Sequence, residues 1–391
     1  MTNIEKNIFK FIEKHLFLIS LILIIILSLF IRFMLIDFKS QDYLHFLSNW
    51  YDYFKNNGGL KALKSYPGDY NAPYMTLFAI ISYINLPKLY LIKSISFIGD
   101  FLLAFASYKI ANKITKNNKI KSLLIFAIIL NLPVVLMNSA MWGQCDSIYS
   151  SFILFGIYEL MNEKYLKSFI FFGIAFAFKL QLMLIIPALL IYYVITKKFS
   201  LLNFLLLPTV NLILCIPSII FGKSIVEVFT IYFNQTNSYN YMSLNFPNIY
   251  NFIPINNKYF AIVLTAIAFF ILLVYLINKK TKFNNEKILL LFIISELIST
   301  LLLPGMHERY MYPGEILSIL YFLIYKENII YTLLILISSP ITYSRFIFEY
   351  RYIDLTYLSI VYSIIVSIFI FNSLMKVTDN KDYCAKEIKG I

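Results

Sequence analysis

Charge is what this chain has least of. Only 14% of its 391 residues are Asp, Glu, Lys or Arg, against 60% hydrophobic. A soluble protein of this length needs far more polar surface, so the composition excludes one and predicts a polytopic membrane protein. Cysteine is scarce too. Cys145, Cys215 and Cys384 fall at an outer corner, in a span and in the tail, which offers no disulfide framework and no thiolate metal set. Cys384 is also too far from the end for a prenylation signal. The few histidines and acids show no ligand spacing, so the sequence demands no metal or other cofactor. No soluble-type repeat, low-complexity tract or second soluble domain interrupts residues 1–391, which read as one transmembrane domain.

Hydrophobic runs fill the chain instead. Leu16 to Leu35 is about 20 residues long, enough at about 1.5 Å each to cross a bilayer. Lys6, Lys10 and Lys14 precede it as in a signal peptide, but no small-residue cleavage site follows, which predicts a retained anchor. The pattern predicts an all-α bundle of about twelve spans, near 17–36, 90–108, 122–140, 146–161, 168–181, 183–196, 200–221, 259–278, 288–303, 313–325, 329–343 and 354–373. Of the 34 Lys and Arg, 21 then fall in loops on the N-terminal side and 10 in the opposite loops. Positive loops stay inside, so both termini and the 374–391 tail are expected in the cytoplasm of an inner-membrane protein. The net charge of +13 therefore reports topology and argues against a nucleic-acid partner.

Two long polar segments, 37–89 and 222–258, fall on the outer side. In the first, Tyr43, Phe46, Leu47, Trp50 and Phe54 make one apolar helical stripe, with Asp42, His45, Asn49 and Asp52 opposite. Such a helix can lie on the bilayer and hold a carboxylate at headgroup level, against the membrane lipids. It stops at Asn56-Asn57-Gly58-Gly59. A second juxtamembrane or re-entrant helix is expected from Asn71 to Ile84, with Pro73 in its first turn. The second segment carries Asn234-Gln235-Thr236-Asn237-Ser238-Tyr239-Asn240-Tyr241, either a solvated loop or a sugar-binding wall. Asn234 to Thr236 is also a glycosylation sequon, relevant only in a eukaryotic secretory setting.

Several polar clusters sit at outer ends of spans, and each has a structural alternative. Asp42 in a first turn is also what a helix dipole favours. Asp69, in Tyr66-Pro67-Gly68-Asp69-Tyr70-Asn71-Ala72-Pro73-Tyr74, could simply fix a turn. Trp142, in Asn138-Ser139-Ala140-Met141-Trp142-Gly143-Gln144-Cys145-Asp146-Ser147, suits interface anchoring, which leaves Gln144 unexplained. Asp146 could be a helix-dipole acid. Lys179, in Phe176-Ala177-Phe178-Lys179-Leu180-Gln181, either snorkels or meets an anion such as phosphate. In Pro304-Gly305-Met306-His307-Glu308-Arg309-Tyr310-Met311-Tyr312-Pro313, three ionisable residues share a short loop, and Arg309 can grip a phosphate with two parallel bonds. Arg345 and Arg351 could extend a headgroup funnel or only anchor the interface. Asp100, mid-span, is costly in lipid and should face the bundle.

At these clusters the chain resembles the GT-C glycosyltransferases. The resemblance rests on an acid after the first span, Trp142-Gly143-Gln144-Cys145-Asp146, Phe178-Lys179-Leu180-Gln181 and Met306-His307-Glu308-Arg309-Tyr310. The nearest branch is the bacterial group similar to the enzyme that adds the second mannose of GPI anchors. It extends from about residue 17 to 325. The resemblance implies a GT-C-like bundle with its active site on the extracytoplasmic face. It implies inverting transfer of a hexose, mannose by analogy, from a polyprenyl-phosphate-linked donor to a lipid-linked or cell-surface glycan acceptor. Asp42 matches the first-loop acid that serves as general base, though Asp52 and Asp69 are close in sequence. His307, Glu308 and Arg309 would belong to the donor-phosphate region, joined by Lys179. Asp69, Trp142, Gln144, Asp146, Gln181 and Tyr310 would form the site wall.

The rival classes are a lipid-linked glycan flippase or other transporter, and an outer-face glycan polymerase or ligase. Transporters favour paired repeats and ionisable residues at the membrane midplane. Here polar residues gather at one face. A polymerase or ligase shares that geometry and stays open.

Overall fold

A computed structural model describes residues 1–237 and 241–380, with the side chains of 234–237 outside the description. Cys384 and the end of the tail therefore lie outside the described residues, as do residues 238–240 and the sequon's side chains. The architecture is all-α, with one pair of two-residue strands. The chain opens on α1 (Asn3–Leu35), started by a reciprocal cap between Thr2 and Glu5. Only Ser28 and Arg32 of α1 are buried. Such a helix, apolar all round and almost unburied, belongs in lipid.

Helix α2 (Ser48–Asn56) continues a widened turn over Tyr43–Leu47, and α3 (Ala72–Ile81) begins where Asn71 caps it. Next come α4 (Lys88–Ile114), α5 (Lys119–Leu130) and α6 (Pro133–Leu136), the last running into a widened turn over Met137–Trp142. After the corner at 143–145 follow α7 (Asp146–Met161), α8 (Tyr165–Phe178), α9 (Ile186–Thr196), α10 (Leu206–Leu214), α11 (Ile216–Ile220) and α12 (Ile225–Asn237). Strand β1 (Ser243–Leu244) leads to α13 (Lys258–Asn278) and α14 (Asn285–Leu302). Strand β2 (Met306–His307) precedes α15 (Tyr312–Tyr325), α16 (Ile329–Ile347) and α17 (Leu355–Thr378).

The long apolar helices mark a membrane protein, but the expected count of about twelve spans is corrected. Among the described residues, five helices are long and apolar enough to cross a bilayer: α1, α4, α13, α16 and α17. A sixth arises if the 119–130 and 133–142 pair, bent by 47°, is one broken span. The other expected spans are shorter helices or break, except the 18-residue α14, which carries three charged residues, Glu286, Lys287 and Glu296. The expected span at 200–221 divides at Leu205 and Cys215, and α8 and α15 have 14 residues each. At about 1.5 Å per residue those two reach about 21 Å, short of a hydrocarbon core of about 30 Å. Apolar runs alone cannot reveal such breaks, because a buried short helix and a spanning one look alike in composition.

The first-loop helix is a second correction. Its stripe of Tyr43, Leu47, Trp50 and Phe54 is buried, but against protein rather than bilayer. It packs on Leu63, Tyr74, Met75, Phe78 and Ile92 in a cluster that also contains Cys145. Phe46, the stripe's fifth member, is exposed.

Side-chain contacts separate two ends. At the end where α1 finishes, Lys93 Nζ donates to the carbonyls of Ile36 and Phe38 (2.7 and 2.5 Å), and Ser40 Oγ donates to Trp142 O (2.8 Å). At the far end, Lys376 pairs with Glu286 and Glu327, and Lys121 Nζ donates to Ile324 O. The functional candidates all gather at the first end.

Candidate functional site

The corner between α6 and α7 organises this end. Gly143 turns it with a φ of +79°, a left-handed conformation that suits glycine. Asn138 Nδ2 donates to Asp146 Oδ2 (2.8 Å) and closes the corner across its mouth. Trp142 and Gln144 then project towards the segment that follows α1. There Trp142 Nε1 and Gln144 Nε2 both donate to Asp42 Oδ2, at 2.7 and 2.5 Å. Residues a hundred positions apart thus hold the first-loop carboxylate, and Ser40 Oγ accepts from Tyr43 N (3.1 Å) to fix the turn that carries it.

Asp42 alone of its polar face joins this set. His45 is exposed and bonds Gln41, Asn49 bonds the His45 carbonyl, and Asp52 pairs with Lys88 at 2.6 Å. The widened turn over Tyr43–Leu47 rotates Asp42 out of the register that a regular helix would give it with those residues. His45, Asn49 and Asp52 therefore form no shared cluster with Asp42.

Gln144 is the bridge. Its Oε1 accepts from Arg309 Nη1 (2.9 Å) and from Tyr70 OH (3.0 Å), while its amide nitrogen serves Asp42. Arg309 also lies 3.6 Å from Asp146 Oδ2 and 5.4 Å from the Trp142 ring centroid. Lys179, just beyond α8, is buried, forms an ion pair with Asp146 Oδ1, and lies over the rings of Tyr70 and Tyr149. Asp146 therefore holds two cations from different helical hairpins side by side. An anion could use both.

The 306–310 loop is fixed by β1 and β2, which pair in parallel, with Ser243 opposite Met306 and Leu244 opposite His307. The Glu308 amide donates to Leu244 O (3.1 Å). Glu308 is buried, and burial raises its carboxyl to about 7, with the Asp42 charge adding to the rise while Arg309 opposes it. His307 moves the other way: burial first, then the Arg309 and Lys179 charges, lower its imidazole to about 3. Near neutral pH the ring is uncharged and Glu308 is shared between its two forms.

Two cavities adjoin these residues. A polar one of about 70 Å3 is lined by Asp69, Tyr70, Lys179, Gln181, His307, Arg309 and Tyr310, together with Phe178. An apolar one of about 300 Å3 runs along Leu180, Met183, Leu184, Ile262, Leu303 and Met306. They share Gln181 and Tyr310, which stand between them. Small-molecule sites run to roughly 300–1,000 Å3, so the polar cavity alone suits an anionic group and the pair together suits a ligand with an apolar tail.

The structure brings Asp42, Trp142, Gln144, Asp146, Lys179 and Arg309 into one connected network, with His307, Tyr310 and Gln181 on the cavity wall and Glu308 buried beside it. Asp69 is exposed but lies on the same wall. Asp42 does not line the polar cavity and reaches it through Gln144. Arg345 closes its own loop by donating to Ile353 O (2.6 Å), and Arg351 is exposed. Sequence reading missed Tyr70 and Tyr149 as partners of Lys179 and missed the strand pair. A two-residue strand carries no periodicity to detect. Among the described residues no group of three or more His, Cys, Asp or Glu stands ready for a metal ion. No protein-family model matches the chain, and no curated protein matches it.

Proposed function

We propose that this protein is a GT-C-type inverting glycosyltransferase that moves a hexose from a polyprenyl-phosphate-linked donor to a lipid-linked or surface glycan acceptor. The observation that carries the reading is the Asp42–Gln144–Arg309–Asp146–Lys179 network beside an apolar groove. A carboxylate, two cations and a lipid-sized hollow come together from four distant stretches of chain. The excess of Lys in loops at the other end supports an extracytoplasmic location for this end.

The chemistry follows from charge. The acceptor hydroxyl gives its proton to Asp42 as its oxygen bonds to the sugar's anomeric carbon from the face opposite the phosphate. The bond from that carbon to the phosphate oxygen breaks, and polyprenyl phosphate leaves with one more negative charge. Arg309 and Lys179 are placed to stabilise that charge, and no second acid is needed because phosphate leaves readily. Asp146 offsets part of their positive charge, so the pair suits the single charge of a phosphodiester better than the higher charge of a diphosphate. Glu308 in its protonated form removes one negative charge from the surroundings of the phosphate. The groove along Leu180–Leu184, Ile262 and Leu303 takes the first isoprene units, and membrane lipids surround the rest.

Purified protein supplied with polyprenyl-phosphate hexoses and an extract of membrane lipids tests this. Acceptor-dependent release of polyprenyl phosphate is expected from the wild type and not from Asp42→Ala. Consumption of a preassembled lipid-linked oligosaccharide alone would make the protein a polymerase or ligase. Movement of a lipid-linked glycan across vesicles without bond cleavage would make it a flippase.

A further inference from the structure

Below the corner lies a buried ion pair that the proposed chemistry does not use. Arg32, near the end of α1, and Asp100, midway along α4, are both fully buried. Arg32 Nη2 and Nε donate to Asp100 Oδ2 at 2.7 and 3.0 Å. The guanidinium also donates to Leu130 O (2.8 Å) and Ser28 O (3.2 Å), and lies near the Phe97 and Phe101 rings. The same Asp100 oxygen accepts from Ser139 Oγ at 2.6 Å.

Ser139 belongs to the widened turn that ends at Trp142. Just beyond the corner, Ser147 packs on the neighbouring residue of α4, where a Cβ built on Gly99 would stand 2.6 Å from Ser147 Oγ. Helix α4 thus grips both flanks of the corner, one through Asp100 and one through Gly99. Arg32 and its carbonyl acceptors tie that grip to α1 and to the end of α5. Everything the corner presents, Trp142 and Gln144 to Asp42 and Asp146 to Lys179 and Arg309, hangs from this frame.

Adhesion between helices does not explain an ion pair here. Buried pairs recover little more than their desolvation cost, and apolar pairs of similar volume often serve as well or better. What a pair offers and apolar packing does not is a fixed direction. The hydroxyl of Ser139 lies 2.9 Å from the Val135 carbonyl one turn back and 2.6 Å from the carboxylate oxygen, and that oxygen is itself fixed by two guanidinium nitrogens.

We propose that Arg32 and Asp100 are positioning residues that set the corner through Ser139, and so align the Asp42 carboxylate with the Lys179 and Arg309 cations. The activity arm of this proposal rests on the glycosyl-transfer reading; the spectroscopic arm does not.

Trp50 and Trp142 are the only tryptophans in the chain, so Trp50→Phe leaves Trp142 as the sole tryptophan, excited selectively over the tyrosines and in contact with Asp42. In that background Asp42→Ala, which leaves Trp142 Nε1 no side-chain acceptor there, gives the emission shift that marks loss of the contact. Ser139→Ala and Asp100→Asn are expected to shift emission the same way, and adding Asp42→Ala to either should then change little. Ser139→Ala leaves the Arg32–Asp100 pair whole, so unchanged emission in that variant overturns the proposal. The apolar double variant Arg32→Met/Asp100→Leu should keep its melting temperature yet show the shifted emission; wild-type emission with retained stability also overturns it. In turnover, Ser139→Ala and Asp100→Asn are expected to lower kcat by ~10–100-fold with donor KM little changed, as for a small misplacement of reacting groups. A rise in donor KM with unchanged kcat contradicts it. If the wild type transfers no sugar while the emission shifts hold, the reaction assignment fails and the positioning role stands.

Discussion

The two ends of the molecule use charge in opposite ways. At the far end Lys376 reaches Glu286 and Glu327 with all three side chains partly open to solvent, and Lys198 meets Glu163 at an exposed contact. These pairs clasp helix termini. At the corner end Lys179 and Asp146 are buried, Arg309 is mostly so, and Asp146 pairs with both cations. Water screens the first set and has less access to the second, so a change of one charge matters far more at the corner. A protein stabilised only by ion pairs has no need to withdraw three charges together. The contrast separates charges that fasten from charges placed to act.

The largest expected break in that contrast is at Asp42. Asp42→Asn keeps the shape and removes the base, and sugar transfer should fall by ~10²–10⁴-fold. Asp52→Asn, which disturbs only a surface pair with Lys88, should leave transfer unchanged. Asp69→Asn is the sharper control, because Asp69 lines the polar cavity; a loss as large as that of Asp42→Asn would move the base there. Next comes Arg309→Ala, expected to cost ~10²–10³ in kcat as a charge-stabilising donor. Arg309→Lys keeps the charge but loses the planar fork that serves Gln144, so it should recover activity only in part.

Smaller effects appear with pH. Glu308 is raised by burial from about 4.5 to about 7. Between those values the unfolded chain ionises this carboxyl while the folded one keeps its proton, so stability falls as pH rises through the window. His307 works in the other direction: its depressed value favours the neutral ring, and the stability it contributes above about 6.5 is lost as pH falls towards 3. Between pH 5 and 6.5 the two slopes oppose each other, so melting temperature in detergent should rise more steeply with pH in Glu308→Gln than in the wild type. The smallest effect lies at the far end. Lys376→Ala should cost no more than about 1 kcal/mol, as exposed pairs do, and should leave transfer untouched.

Much of the site was legible before the structure because its residues are chemically out of place. Lys179 at the end of an apolar run, Asp146 at a helix start and His307-Glu308-Arg309 in a tight loop each stand out against a chain so poor in charge. The alternatives offered for Lys179 resolve into a partnered cation, with Asp146 beside it and tyrosine rings about it. Pairing was harder to see. Nothing local tells that Gln144 serves Asp42 and Arg309 at once, since the three come from distant parts of the chain.

The fold was legible in class and less so in count. Composition gives the membrane helices, and Asn71 with Pro73 gives the start of α3 correctly. Breaks inside apolar runs, such as that at Cys215, are set by tertiary packing and leave little trace in hydropathy. The widened turns over Tyr43–Leu47 and Met137–Trp142 are similarly silent, yet they aim Asp42 and Trp142 at each other. Helical periodicity placed Asp42 with His45, Asn49 and Asp52 because it assumed a regular helix. The stripe of Tyr43, Leu47, Trp50 and Phe54 was correctly apolar, but periodicity alone does not tell a bilayer from a protein neighbour.

The most direct test is donor turnover by wild-type protein and Asp42→Asn side by side, with a labelled polyprenyl-phosphate hexose and membrane lipid acceptors. The account predicts acceptor-dependent release of polyprenyl phosphate by the wild type, and an Asp42→Asn protein that still binds the donor but scarcely turns it over. Equal turnover by the two proteins, or no consumption of any polyprenyl-phosphate hexose by the wild type, would contradict it.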